Sequence, residues 1–395
     1  MRPEQTEFTI KTLTPVWTGG AQGYCDRMHE TGIIGSLRFW YETIVRGLGG
    51  DVCDPVSENR CELSGREKDE ERIKKLCPAC YLFGCGGWKR QFQFGVEKAP
   101  TVPLHFRSTL PRVNKNWLTS LFMGKDQDAT IDNCIVFYGD IAYKIVFRGE
   151  DYRYVLSQLK MLMKFISEHA GIGAKLQHGF GQVYFDSTKS QMDNCSAEDG
   201  LEQLRKRIPE FHKLNVEDSM PYNLQNYLSI FYEMPRSKFE AFLKKSSHLG
   251  RDLLIKEDGY IPCALDLRYK GGGNFGMRRW LKEYKKWTES SDPKKLGKID
   301  ELLGPRSQWM DGNKMIKIED EIRTASRLNF GMPYRISNGN YRLHIFGFAP
   351  PALLSPEALK DLCGEYMHHA FGQECSPCSI VYGREIIRAG EVKGK

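Results

Sequence analysis

At 395 residues the chain is long enough for two domains, each with its own core. Its 41% hydrophobic and 27% charged residues are the proportions of a soluble globular protein, no apolar run approaches a membrane-spanning length, and Met1 leads into charged Arg2 and Glu4, so a cytoplasmic protein is expected. The net charge of +7 permits binding to a polyanion such as RNA without showing it. Twelve cysteines with no export signal point to reduced thiols and metal ligation over disulfides.

In chain order, Thr6 to Leu13 alternates as a half-buried strand and runs into a turn at Pro15 and a loop at Gly19-Gly20. A helix follows, with Ile33, Leu37, Trp40, Ile44 and Leu48 at the spacing of one buried face. Arg38, Glu42 and Arg46 stand four residues apart off that face, so the acid can pair along the helix with either arginine. Gly47, Gly49 and Gly50 end the helix. The segment 51–87 is unlike its surroundings. It holds Cys53, Cys61, Cys77, Cys80 and Cys85 and a charged run from Arg66 to Lys75. Cys77-Pro-Ala-Cys80 is a CxxC knuckle, and Cys53 and Cys61 supply a second pair. Four soft ligands in two pairs suit a tetrahedral structural zinc, whose binding free energy would fold a loop with no core of its own. Unligated buried cysteines and a redox CxxC are the alternatives, and Cys85 can replace one of the four.

Phe92, Phe94 and Val96 alternate in a second strand, and extended sequence continues from Pro100 to Pro111 with His105 and Arg107 in it. Ile131 to Phe147 reads as one long strand or a hairpin broken at Gly139-Asp140. Tyr152 to His169 is a helix with Val155, Leu159, Leu162 and Ile166 inward. Gly171 to Gly181 is rich in glycine, with Lys175 and His178 among Gly173, Gly179 and Gly181. Such a loop can bring backbone amides against a phosphate, although connectors also use glycine for geometry alone. Gln182 to Asp186 closes the half as a strand. The order strand, helix, strand, strand, helix, strand is that of a ferredoxin-like or RRM fold, with the cysteine segment inserted after the first helix.

Residues 187–220 are polar and read as a linker with a short helix. A strand from Leu224 to Glu233 leads to a helix from Lys238, where Ser237 and Glu240 have capping-box spacing. Lys270 to Arg279 again sets glycines beside basic residues, Arg278 and Arg279. Trp280, Tyr284 and Trp287 follow, interleaved with lysines, either as core aromatics or as stacking platforms. Arg327 and Arg335 flank a Phe-Gly-Met-Pro turn before a strand from Tyr341 to Phe348. Ser355-Pro356 starts a helix running to Phe371, and Ser379 to Tyr382 is a last strand. Cys375 and Cys378, with Cys363, His368 and His369 near in sequence, are a weaker second metal candidate, since adjacent helical histidines cannot face one point.

The LTPxxxGG stretch (Leu13–Gly20), GxLRFW (Gly35–Trp40), CxxC-x2-FG (Cys77–Gly84), GxGAKxQHGFGxV (Gly171–Val183) and the arginine-flanked FGxP turn together resemble the RAMP superfamily of RNA-binding, RRM-related proteins. Within it, they resemble the family of first subunits of the Cmr effector complex of type III-B CRISPR systems. The resemblance is densest over residues 6–185. It implies an α+β protein of two ferredoxin-like/RRM-like (RAMP) domains. These are residues 1–190, carrying a zinc-binding insertion at 51–87, and 221–395, joined by a linker at 191–220. It further implies a non-catalytic subunit that holds the 3′ part of a CRISPR guide RNA and the paired 5′ part of a complementary target RNA, beside other Cmr-type RAMP subunits. The RNA contacts it implies are Arg38, Arg46, Lys89, Arg90, Gly173, Lys175, His178, Gly179, Gly181, Arg278, Arg279, Arg327 and Arg335. The zinc ligands expected are Cys53, Cys61, Cys77 and Cys80. Two arginines that the family usually carries on the first helix are replaced by Ile34 and Glu42, a loss for which Lys89 and Arg90, or His105 and Arg107, are candidates to compensate.

Two rivals stand beside this reading. One is a metal-independent RAMP endoribonuclease using Asp26, His29 or His178. The other is an assembly subunit making protein contacts only. No GxxxxGKS and no strand-linked GxGxxG with a downstream acid appears, which argues against a nucleotide-binding enzyme.

Overall fold

The computed structural model describes residues 4–20, 23, 25–54, 58, 60–104, 135–186, 197–213, 222–244, 259–269, 276–306, 308–311 and 314–388. In the first half, strand β1 (Gln5–Thr12) points Phe8 and Ile10 into the core at the alternation seen in its sequence. Helix α1 spans Glu30–Gly47; α2 (Asp69–Ile73) and α3 (Pro78–Phe83) lie in the cysteine segment. Strand β2 (Phe92–Lys98), a small hairpin of β3 (Thr101–Pro103) and β4 (Ile135–Phe137), β5 (Asp140–Phe147), helix α4 (Tyr152–His169) and β6 (Val183–Phe185) complete the half.

The sheet order is β2-β5-β1-β6, every neighbour antiparallel. Each helical crossover therefore skips one place, and the strand of the other crossover fills the gap. The sequence from 135 to 147 resolves into two strands. Gly139, at φ +126, turns the chain where its amide donates to Thr12 Oγ1 (2.7 Å). His105, Arg107 and positions 131–134 lie outside the described residues.

Helix α5 (Ala197–Arg207) falls in the segment expected as linker, and it packs along α4. Contact is close enough that a Cβ at Gly200 would lie 2.5 Å from the Ser157 carbonyl, and Gln158 Nε2 donates to the Gly200 carbonyl at 2.9 Å. Arg207 closes the joint. Its guanidinium stands 4.1 Å over the Tyr154 ring and pairs with Asp151 at 2.6 Å, while the Tyr81 hydroxyl donates to the same carboxylate at 2.5 Å.

The second half runs β7 (Tyr227–Met234), α6 (Arg236–Lys244), α7 (Ala264–Tyr269), α8 (Met277–Tyr284) and α9 (Lys298–Leu303). It continues with a hairpin of β8 (Gln308–Asp311) and β9 (Lys314–Lys317), then β10 (Leu328–Phe330), β11 (Tyr334–Arg335) and β12 (Tyr341–Phe348). Helix α10 (Pro356–Phe371), β13 (Pro377–Tyr382) and α11 (Gly383–Arg388) close the described chain. Its sheet, β10-β12-β7-β13 with β11 beside β12, repeats the order of the first, again all antiparallel. The Ser355 side chain caps α10, accepting from the Ala358 amide at 3.2 Å. The capping box expected at Ser237 does not form: α6 begins at Arg236, and Glu240 instead accepts from the Arg236 guanidinium at 2.9 Å.

The two sheets share one core, and α1 stands in the middle of it. Trp40 is 1% exposed, packs on Phe165, Tyr227, Phe346 and Phe348, and donates its indole N–H to the Gly171 carbonyl at 2.8 Å. Phe39 reaches Tyr222 and Phe348, and the Tyr227 hydroxyl donates to the His169 carbonyl. Burying an indole of about 200 Å² stabilises this seam by about 5 kcal/mol at ~25 cal/mol per Å². Among the described residues no helix is long and apolar enough to cross a membrane.

Candidate functional site

Four of the cysteines converge. Cys53, Cys61, Cys77 and Cys80 are buried, and their Sγ atoms all lie within 4.8 Å of one another. Cys77 Sγ is 3.8 Å from Cys53 Sγ, and Cys53 Sγ is 3.4 Å from Cys80 Sγ. A tetrahedral ion with Zn–S bonds of about 2.3 Å sets its sulfurs about 3.8 Å apart, so the donor set and spacing fit zinc. Cys85 lies outside this set, its Sγ directed at the Gly86 carbonyl. The amide of Cys77 donates to Cys61 Sγ (3.2 Å) and that of Cys80 to Cys77 Sγ (3.4 Å), a backbone cage for anionic sulfur. Hydrogen bonds from its three neighbours hold the Cys53 thiol far down. Cys61, Cys77 and Cys80 are pushed up, chiefly by their bonds to Cys53. A divalent cation held here would displace the thiol protons, since thiolates are the ligating form.

The arginines of α1 do not form a basic face. Arg38 donates to Glu42 (2.8 Å), the Gly84 carbonyl (3.0 Å) and Cys80 Sγ (3.3 Å). Arg46 pairs with Glu42 at 3.6 Å and donates to the Tyr222 carbonyl at 3.4 Å. Burial pushes the Glu42 carboxyl up against the opposing pull of both arginines. The two cations expected at RNA therefore tie α1 to the cysteine segment and to the second half. Glu42, the departure from the family pattern, is the anion between them.

The glycine-rich loop is packed rather than open. The amides of Ile172, Ala174, Gly179 and Gly181 donate to the carbonyls of Gly181, Trp17, Leu176 and Pro15, and that of Gly173 to Ser36 Oγ. Gly179, at φ +91, faces the second half, where a Cβ would lie 2.6 Å from both Ala264 Cβ and Met332 Cγ. His178 is 2% exposed, and burial with Arg268 and Lys175 nearby drives its pKa well below the usual value. Lys175 lies over the Trp17 ring, 4.3 Å from its centroid. Gly179 serves the contact between halves, Gly173 and Gly181 pack against Trp17 and Ile172 within the first half, and His178 is not a surface group.

In the second half Arg278 is placed in the core. It pairs with Glu289 (2.8 Å) and Asp300 (3.0 Å) and donates to the Gly304 carbonyl. Arg279 is exposed beside Glu283 at 3.7 Å, and Arg327 is half-buried near Tyr222. Trp280 is core, whereas Tyr284 is exposed and packs on His369. Arg90 is tied to the Phe92 carbonyl at 2.8 Å, and Lys89 is exposed. Cys375 and Cys378 do not converge: one Sγ reaches Met234 Sδ and the other the Phe231 carbonyl. In the β1–α1 loop, His29 Nε2 meets Asp26 Oδ1 at 2.8 Å, which lowers the Asp26 pKa.

A cleft of about 1450 Å³ opens between the halves, lined by β1, α4 and β6 on one side and β7, β11, β12 and β13 on the other. Lys11, Lys160, Lys164, Arg335 and Arg342 line it against Glu168, Asp186 and Glu233, and Arg342 neutralises Glu233 at 2.5 Å. Tyr184, 52% exposed, stands in it across from Lys11 in the β1–β6 pairing. An exposed ring among basic side chains in an open groove can stack a base and hold the phosphates beside it. Of the thirteen residues expected at RNA, Arg335 is the one that lines this cleft. Lys11 and Tyr184 were not anticipated. Their only signal is outward alternation on strands whose neighbours cannot be read from sequence.

Residues 9–184 match the model of the RAMP superfamily. No curated protein matches the chain. Similar solved structures include Cmr1 from Pyrococcus furiosus in its apo form, at 12% identity, covering 88% of each chain with a TM-score of 0.37. Another is a chain of the type III-B Cmr-β complex bound to cognate target RNA and AMPPnP, at 11% identity, covering 94% of this chain and 100% of that one with a TM-score of 0.39. A chain of a type IV-B CRISPR complex covers 48% of this chain and 94% of its own length, at 13% identity and a TM-score of 0.29.

Proposed function

We propose, because residues 9–184 match the model of the RAMP superfamily, that this chain is a non-catalytic RNA-binding subunit of a type III-B-like CRISPR effector complex. That match is the observation carrying the proposal, and the LTPxxxGG, GxLRFW and GxGAKxQHGFGxV motifs narrow it to the Cmr-type first subunit. Two ferredoxin-like halves, residues 1–190 and 221–395, are supported by the strand order repeated in the two sheets. The four-cysteine centre serves as a structural zinc site. The subunit holds the 3′ part of the guide and the paired 5′ part of the target, beside other Cmr-type subunits. Backbone contacts hold the strands and base pairing reads them, so affinity is salt-dependent and nearly sequence-blind. Lys11, Tyr184 and Arg335 in the cleft supply RNA contacts in place of Arg38, Arg278 and the loop amides, which the fold already occupies.

The test is fluorescence anisotropy with unrelated single-stranded RNAs over a salt series. The wild type is compared with a Lys11→Ala, Tyr184→Ala, Arg335→Ala variant, with a denaturing gel of the same samples. Losing two phosphate contacts should flatten the log–log salt slope by about 1.4, and losing one stacked base should weaken binding by about 1–3 kcal/mol. Wild-type binding unchanged in the variant moves the RNA off this cleft. Absence of wild-type binding at low salt favours the assembly role. RNA cleaved without added metal favours the endoribonuclease, for which the Asp26–His29 pair is the acid–base candidate.

A further inference from the structure

We infer that Arg38 is a positioning residue of the four-cysteine metal centre, neutralising its charge and clamping it to α1. This rests on the metal reading of Cys53, Cys61, Cys77 and Cys80, and not on RNA binding. A divalent ion held by four thiolates carries a net charge of about −2, which a largely buried site must compensate. Among the described residues, Arg38 is the cation in hydrogen-bond contact with a ligand sulfur: its Nη2 donates to Cys80 Sγ at 3.3 Å. The same fork donates from Nη1 to the Gly84 carbonyl at 3.0 Å, at the end of the knuckle helix α3, and from Nε to Glu42 at 2.8 Å. Glu42 in turn is paired with Arg46, so the guanidinium is held from behind.

Three donors in one fixed plane suit this position. A hydrogen bond donated to sulfur would take up part of the charge of a ligated Cys80 and fix the direction in which its Sγ faces the centre. The bond to Gly84 fixes the turn after the second CxxC cysteine. Gly84 lies at φ +90, and a Cβ there would meet the Arg90 amide nitrogen at 2.9 Å, so the backbone has one way through. Lysine could make one of these bonds but not all three, and alanine would make none.

The experiment uses the full chain loaded with cobalt(II) or zinc(II). Cobalt reports the thiolate set through its sulfur-to-metal charge-transfer band, and competition with a chromophoric chelator gives zinc affinity. Arg38→Ala should lower zinc affinity about 10–100-fold and shift the band, while Arg38→Lys should recover part of both. Arg66→Ala, an exposed cation in the same segment, should match the wild type. Should Arg38→Ala fail to fold by far-UV circular dichroism, Arg38→Lys carries the comparison. Wild-type affinity and band position in Arg38→Lys and in any folded Arg38→Ala would overturn the role. No thiolate band in the wild type, or one unchanged in position and intensity in Cys77→Ser, would overturn the metal centre itself and this role with it. Neither result bears on RNA binding.

Discussion

Gly179→Ala separates the two things a glycine-rich loop can do. In this structure Gly179 has φ +91, its carbonyl accepts from Thr14 Oγ1 at 3.1 Å and from the Met332 amide at 3.3 Å, and it lies against the second half. A Cβ would stand 2.6 Å from Ala264 Cβ and Met332 Cγ and 2.7 Å from the Met332 amide nitrogen. The last is backbone and cannot turn aside. Placing an L-residue in this region costs about 1–2 kcal/mol, and the overpacking adds about 1–3 kcal/mol. The substitution should therefore destabilise the fold by about 2–5 kcal/mol, read as a lowered urea midpoint at unchanged m-value. The internal control is Gly35→Ala. Gly35 is exposed inside α1 with nothing within 4 Å of a Cβ, so alanine should stabilise by about 0.5–1 kcal/mol. RNA affinity per folded molecule should be little changed in Gly179→Ala. If instead the urea midpoint stays within error of wild type and RNA affinity collapses, Gly179 approaches a phosphate and the packing argument is wrong.

Arg278→Ala leaves the buried Asp300 without its cation, while the half-buried Glu289 keeps Arg306 at 3.0 Å, and should cost about 3 kcal/mol of stability. Arg279→Ala, at the exposed neighbour, should cost less than about 1 kcal/mol; equal effects in thermal melts would contradict the buried placement. Burial holds His169 down to about 4 and drives His178 and His344 well below their usual value. Below pH ~6.5 the unfolded chain binds protons that the folded chain refuses, so stability falls as pH drops through ~6.5 toward ~4 and is flat with respect to these rings above it. Each ring contributes up to ~1.4 kcal/mol per pH unit in that window. Urea midpoints that do not change between about pH 7 and pH 5 would show that the rings are solvated.

Periodicity made α1, α4, α10, β1 and β12 legible, because an apolar stripe at 3.6 or 2 residues is a local property of the chain. Spacing did the same for Cys53, Cys61, Cys77 and Cys80: a CxxC knuckle fixes its own geometry, and metal sites need few partners from afar. The hairpin β8–β9 and the short helices α7, α9 and α11 were not legible, being too brief to show a period.

The i,i+4 pairs of Glu42 with Arg38 and Arg46 were legible in the spacing, but the partners of polar side chains distant in the chain were decided only by the tertiary structure. A helical wheel separates an apolar face from a polar one, but it cannot say whether the polar face meets water or another segment. Arg38 meets Cys80, 42 positions away, and Arg278 meets Glu289 and Asp300 because α8 and α9 pack together. The glycines at 171–181 looked suited to phosphate because glycine permits close approach; the fold uses that permission for its own packing, at Gly173 and Gly181 within the first half and at Gly179 against the second. Lys11, Tyr184 and Arg335 share one cleft although they are distant in the chain. Strand alternation determines that such residues point outward, and only the packing of two sheets determines that they face one another.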